Sequence, residues 1–116
     1  SGGTCSTSGS LIGSTNWMSD GCSNSTTGLW AGGYNASNQI QKQTIASLGT
    51  STDWGDLTTG RHKLGSLATS DRAVFVGGGG HNRIDYKSFS TDANATDFGD
   101  LNFAASAAGA SDLVRT

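Results

Sequence analysis

Short apolar runs punctuated by glycine, with no sustained 3.6-residue periodicity, set the pattern of this chain. Residues 73–76 read Ala-Val-Phe-Val, a continuous run of the kind that forms an inner strand buried on both faces. The run stops at Gly77, Gly78, Gly79 and Gly80, just as Leu29-Trp30-Ala31 stops at Gly32-Gly33. Diglycine at a strand end allows positive φ or a close approach of another backbone. Residues 84–89 then alternate, with Ile84, Tyr86 and Ser88 on one face and Asp85, Lys87 and Phe89 on the other, which predicts a half-exposed strand. Residues 94–101, Asn-Ala-Thr-Asp-Phe-Gly-Asp-Leu, read as a turn whose Asp and Thr side chains bond nearby N–H groups around an aromatic plug. A stretch of small residues follows, expected to be the strand leading into the next diglycine strand.

These elements occur more than once. Shifted by 44 residues, Ile40 falls on Ile84, Ile45 on Phe89, Thr52-Asp53 on Thr96-Asp97, Trp54 on Phe98, and Gly55-Asp56-Leu57 on Gly99-Asp100-Leu101. Residues 29–33 match 74–78 at an offset of 45, the extra residue lying in the loop after the diglycine. Strand-like repeats of 40 to 50 residues point to propeller blades before other repeat architectures. The expected fold is therefore all-β, with antiparallel sheets of three to four strands and a period of about 44 residues. Residues 1–20 are read as a shortened blade, 21–64 and 65–108 as full blades, and 109–116 as the start of another. Within the first of these, Thr15-Asn16-Trp17 resembles Thr52-Asp53-Trp54 but lacks the following Gly-Asp-Leu. Gly109 is matched to Gly21 and Gly65, which sets Thr116 on Gly28. About 2.6 periods cannot close a ring of four or more blades, so the expected partner is a further copy of the chain or a continuation of the same array.

Composition narrows this further. All nine acidic residues are Asp, there is no Pro, and 18 of the 116 residues are Gly, which excludes a helical bundle and favours short strands joined by tight turns. The net charge of −2 and singly scattered Lys and Arg exclude a phosphate-binding stripe, so no nucleic-acid partner is expected. No window approaches 18 consecutive apolar residues, so membrane insertion is not expected either. Cys5 and Cys22 are compatible with a disulfide or with two free thiols.

An apolar-aromatic strand ending in diglycine, a following strand with Tyr, and a later aromatic together resemble kelch-type propeller blades. More narrowly, residues 84–101 and the closing Ser-Asp-Leu-Val-Arg-Thr are similar to repeats of kelch-like proteins of tailed bacteriophages, which are tail-fibre or virion structural proteins. That resemblance implies a virion or extracellular appendage, without catalysis, that contacts host cell-surface glycans. A soluble lectin-like propeller is the alternative, and a glycan-active enzyme the third possibility.

The chemistry in the sequence is consistent with a noncatalytic module. Asp53, Asp56, Asp97 and Asp100 recur at one spacing in successive periods, which assigns them to turn and cap hydrogen bonds, since a catalytic pair is needed once per site. His62 and His81 have no carboxylate or Cys at ligand spacing, and the Tyr, His and Cys ligands of the copper oxidase that shares the kelch architecture have no counterpart. No metal or other cofactor is therefore expected. Gly77–Gly80 is not followed by Lys-Ser/Thr, and no Gly-x-Ser-x-Gly elbow is present. Asn24, Asn35 and Asn94 open glycosylation-type triplets of a kind frequent by chance in such a composition. Trp17, Trp30, Trp54, Phe75 and Phe98 recur at fixed blade positions and are expected in the core. Ligand contact is assigned instead to loop residues that differ between copies: Tyr34, Asn35 and Asn38 in one, His81, Asn82 and Arg83 in the other.

Overall fold

A computed structural model describes residues 3–7, 9–12, 19–47 and 49–106. Among these every regular element is a strand: β1 (Asp20–Ser23), β2 (Thr27–Ala31), β3 (Gln39–Thr44), β4 (Thr52–Asp56), β5 (Gly65–Ala68), β6 (Arg72–Val76), β7 (Arg83–Ser88) and β8 (Thr96–Asp100). They form two antiparallel four-stranded sheets in sequence order, β1-β2-β3-β4 (sheet 1) and β5-β6-β7-β8 (sheet 2). The Thr15-Asn16-Trp17 match and the segment 109–116 lie outside the described residues.

The duplication seen in the sequence is a duplication of register. Leu29 pairs with Lys42 as Val74 pairs with Tyr86, and Ala31 with Ile40 as Val76 with Ile84. Even the irregularity recurs, between Gln39 and Gln41 in β3 and between Ile84 and Asp85 in β7. The one-residue change of offset falls in the loops after the diglycines, as expected from the sequence. The lead-in strands correct one match: Gly21 faces Trp30 and Ser66 faces Phe75, so Gly21 stands with Ser66 and not with Gly65.

Three further expectations change in detail. The Thr-Asp-Phe-Gly-Asp segment is strand β8, and its equivalent in sheet 1 is β4. The local bond expected of its Asp is nevertheless made, because Asp53 and Asp97 accept the N–H two residues on, from Gly55 (3.1 Å) and Gly99 (2.9 Å). Strand β6 is hydrogen-bonded on both edges, with Ala73 and Phe75 fully buried, but Val74 and Val76 are only half-buried. In β7 the face turned inward is the charged one, Asp85 and Lys87, while Ile84 and Tyr86 are half-buried on the other side.

The core lies between the sheets. One face of sheet 1, with Leu29, Ala31, Ile40 and Trp54, meets the opposite kind of face of sheet 2, with Ala73 and Phe75. Leu57 and Leu64 from the connecting segment complete it. Strands β1 and β5 lie side by side, and Ser66 Oγ donates to Asp20 Oδ2 at 2.9 Å. Among the expected core aromatics, Trp54 and Phe75 are buried and Trp30 is half-buried, but Phe98 is 58% exposed. The physical reason is position in the stack: Trp54 has sheet 2 laid over it, and no described element covers the equivalent face of sheet 2.

Glycine is required where the connecting segment crosses the strand ends. Gly32 and Gly77 have φ of 73° and 62°. A Cβ on Gly32 would lie 2.3 Å from the Arg61 carbonyl oxygen, and one on Gly77 would lie 2.5 Å from that of Ala105. Residues Arg61 and Ala105 are therefore equivalent, and accept N–H bonds from Gly33 (3.1 Å) and Gly78 (2.7 Å).

Candidate functional site

The loops that carry the proposed ligand residues lie at corresponding ends of the two sheets, and residues 60–62 pass between them. Arg61 N–H donates to the Ser37 carbonyl (3.1 Å) in the β2–β3 loop, while the His62 ring lies alongside Gly79 in the β6–β7 loop. Tyr34, Asn35 and Asn38 are exposed, and Asn35 holds a left-handed backbone with φ of 60°. His81, Asn82 and Arg83 are half-buried. Of these, Asn82 serves the fold through its side chain, whose Nδ2 donates to the Leu101 carbonyl (3.3 Å); its main-chain carbonyl accepts the Leu101 N–H (2.6 Å), as that of Asn38 accepts the Leu57 N–H (2.7 Å). Arg83 forms a surface ion pair with Asp97 at 3.2 Å. The loops thus expose Tyr34, Asn35 and Asn38 on one rim and leave His81 half-buried on the other, beside the ion-paired Arg83.

Beneath the loops sits a buried ion pair not singled out in the sequence. Arg61 Nη1 lies 2.9 Å from Asp85 Oδ2, and both side chains are fully excluded from solvent. Arg61 also donates to the carbonyls of Gly77 (2.7 Å), Phe75 (3.3 Å) and Thr59 (3.1 Å). Asp85 accepts from Thr58 N–H (3.1 Å) and Thr58 Oγ1 (2.7 Å). Every donor and acceptor of the pair is directed at the connecting segment or the strand ends, which locks sheet 1's exit onto sheet 2 and sets the loop positions. A polar residue opposite Phe75 on a buried face was the available signal, but only the β6–β7 register reveals it.

The second site is the outer face of sheet 2. Phe98 meets Tyr86 edge-on at 5.4 Å, and Arg72 stacks over Tyr86 at 4.5 Å. Leu67 and Val74 are half-buried beside them. In sheet 1 the same position is Trp54, which lies under Lys87 (4.0 Å) and Lys42 (4.7 Å) and packs on Phe89 at 6.3 Å. Lys87 also donates to the carbonyls of Thr91 and Ala93, and burial holds its ammonium below the ordinary lysine value. At this position the two sheets therefore differ: the aromatic of the fourth strand is covered in sheet 1 and open in sheet 2.

Among the described residues no three of His, Cys, Asp or Glu come together as a metal-binding group. Cys5 and Cys22 are free thiols, the first exposed and the second half-buried. Burial pushes the Cys22 thiol from 9.0 up to about 11, against the Ser66 hydrogen bond and with Asp20 assisting. Two units of pKa mean about 100-fold less thiolate at pH 8. A thiol reagent at that pH should therefore label Cys22 about 100-fold more slowly in the folded chain than in the chain unfolded in urea. Equal rates would show that Cys22 is not held in this environment. Because the folded state keeps a proton that the unfolded chain releases above pH 9.0, this group also lowers stability as pH rises from 9.0 to about 11.

Fold and site together define an all-β protein made of a duplicated four-stranded antiparallel meander with a buried ion-pair lock between its sheets. No protein-family model matches the chain, and no curated protein matches it.

Proposed function

We propose that this chain is a noncatalytic module of a kelch-like, propeller-like array in a virion or other extracellular appendage, with loop rims that contact host cell-surface glycans. The observation carrying the proposal is the stacking of one meander on the next through opposite kinds of face, in one register. Such heterologous stacking generates an array and repeats the loops along one rim. The resemblance of residues 84–101 to tail-fibre repeats supplies the biological setting. A structural role for the recurring carboxylates supports the absence of catalysis, since Asp53 and Asp97 make the same N–H bond in both sheets.

Shallow loop sites gain strength by repetition, because tethered copies raise one another's effective concentration. On a glycan array and on host cells, the Tyr34→Ala, His81→Ala double variant should lose about tenfold or more in apparent binding, with the circular dichroism spectrum unchanged. Binding equal to that of the unmodified chain would overturn loop contact. Turnover of a bound glycan would overturn the noncatalytic assignment.

A further inference from the structure

The seat that holds Trp54 between the sheets occurs a second time in this molecule. Residues 9–12 lie against the other face of sheet 1 as residues 55–58 lie against sheet 2. Ser51 N–H donates to the Ser10 carbonyl (2.8 Å), as Ala95 N–H donates to that of Asp56 (2.8 Å). Ile12 N–H donates to Gln41 Oε1 (2.9 Å), as Thr58 N–H donates to Asp85 Oδ2 (3.1 Å). A Cβ on Gly9 would meet the Gly49 carbonyl oxygen, as one on Gly55 would meet that of Ala93. Gly9, Ser10, Leu11 and Ile12 therefore stand where Gly55, Asp56, Leu57 and Thr58 stand. In the sequence Trp54 precedes Gly55 and Phe98 precedes Gly99, but Ser8 precedes Gly9, so the ring of the second seat has no counterpart in the first.

A cleft of about 170 Å³ lies at this first seat, lined by Leu11, Trp30, Gln43 and Ser51 among others. Trp30 and Gln43 correspond to Phe75 and Lys87, and Lys87 lies 4.0 Å from the Trp54 ring. The Trp30 indole lies across two glycines: a Cβ would come within 3.1 Å of it on Gly21 and 3.2 Å on Gly28, where sheet 2 has Ser66 and Ala73. The indole can thus lie low on the sheet, where it forms an aromatic wall of the cleft. A cavity of about 150 Å³ accommodates one benzene ring, so this cleft is of a size for a single small planar molecule.

The polar groups narrow its chemistry. Gln43 and Ser10 are neutral where Lys87 and Asp56 are charged, and no charged side chain lines the cleft among the described residues. The Ser51 hydroxyl is already engaged, donating to Gln41 Oε1 (2.6 Å) and accepting Ile12 N–H (3.1 Å). Gln43 Nε2 donates to the carbonyls of Ser47 (3.1 Å) and Thr44 (3.4 Å), which leaves Oε1 as an acceptor without a bond among the described residues. An aromatic wall and an open acceptor suit a flat ring with one donor. A pyranose suits them less, because most of its hydroxyls would lose water without gaining a partner.

We infer that this cleft binds a neutral planar aromatic molecule of phenol or indole size, packed against Trp30 with its N–H or O–H donated to Gln43 Oε1. The site lies at the β3–β4 end of sheet 1, and Tyr34 is in the loop at the other end of β3, so it is independent of glycan contact by the loop rims.

Indole is the probe, titrated into the isotope-labelled chain while amide shifts are followed by NMR. Saturable shifts are expected at Gly9, Ser10, Gln43, Gly49 and Ser51, with none at Tyr86 or Phe98, and Phe98→Ala should bind indole with unchanged affinity. Gln43→Trp, which supplies a ring to the cleft from β3, should weaken indole binding about tenfold or more while the amides of sheet 2 keep their positions. Benzofuran has the shape of indole without its donor, and should bind the unmodified chain about fivefold more weakly than indole. Gln43→Met removes the acceptor with little change of shape, and should bind indole and benzofuran equally, which keeps the test decisive if Gln43→Trp does not fold. Absence of saturable shifts would overturn the inference, as would shifts centred on Phe98 and lost in Phe98→Ala. Equal affinity of indole and benzofuran for the unmodified chain would overturn the role of Gln43. Methyl glucoside saturating the same amides at the same or lower concentration than indole would overturn the aromatic assignment.

Discussion

Replacing Arg61 by Met should lower the unfolding free energy by about 3–5 kcal/mol, the cost of leaving one partner of a buried ion pair alone. The guanidinium is wholly excluded from solvent and satisfies Asp85 together with three carbonyls, so its loss orphans a buried carboxylate and several buried oxygens at once. A domain of this size has a total stability of about 5–15 kcal/mol, so the single variant should unfold at far lower urea concentration. Replacing both partners, Arg61→Met with Asp85→Leu, should give a protein more stable than Arg61→Met alone, because an apolar pair carries no uncompensated charge. Thr58 still loses its acceptor, which keeps the double variant below the unmodified chain. Urea denaturation checks both; a change below about 1 kcal/mol for Arg61→Met would show that the pair does not join the sheets.

Trp54 and Phe98 provide the second large effect, as a contrast between equivalent positions. Trp54→Ala should cost about 3–5 kcal/mol, the range for removing a buried large aromatic. The ring fills the space between sheets, contacts Phe89 and supports the buried ammonium of Lys87. Phe98→Ala, at the same position in the next sheet, should cost within about 0.5 kcal/mol when measured at a concentration where copies stay apart. The measurement is chemical denaturation followed on both variants at matched low concentration. Similar losses would mean that Phe98 is as enclosed as Trp54, contrary to its exposure.

The fate of these two aromatics also marks the limit of what a repeat conveys. Matching Trp54 to Phe98 correctly predicts that the two segments share one local structure and one Asp–Gly bond, although that structure is a strand with the same irregularity in both sheets and not the expected turn, because these features depend on local sequence. Burial is not local. It depends on whether a further sheet lies on that face, so one member of the pair is core and the other is surface. The same distinction applies to β7, where alternation divides Asp85 and Lys87 from Ile84 and Tyr86 but does not say which side turns inward. Charged residues took the inner side because Arg61, the Thr58 hydroxyl and amide, and the Ala93 carbonyl are there to satisfy them.

The loops divide in the same way. Variation between copies picked out Tyr34, Asn35, Asn38, His81, Asn82 and Arg83, and only the fold separated Asn82, whose side chain donates to the Leu101 carbonyl, and Arg83, paired with Asp97, from the exposed Tyr34, Asn35 and Asn38. Arg61 gave no sequence signal, since its equivalent is Ala105 and a residue that breaks the repeat cannot be found by looking for the repeat.

By itself the sequence determined the all-β class, three of the four strands of each period, the match between the segments that form the fourth, the diglycine crossings and the loop that carries the extra residue. These follow from alternation, β-branching and the φ freedom of glycine, all properties of neighbouring residues. The tertiary structure alone decided which faces meet, that Arg61 and Asp85 lock the sheets together, and that Phe98 and Ile45 are left open. Those outcomes depend on contacts between residues distant along the chain, where desolvation and packing act on pairs that no local pattern specifies.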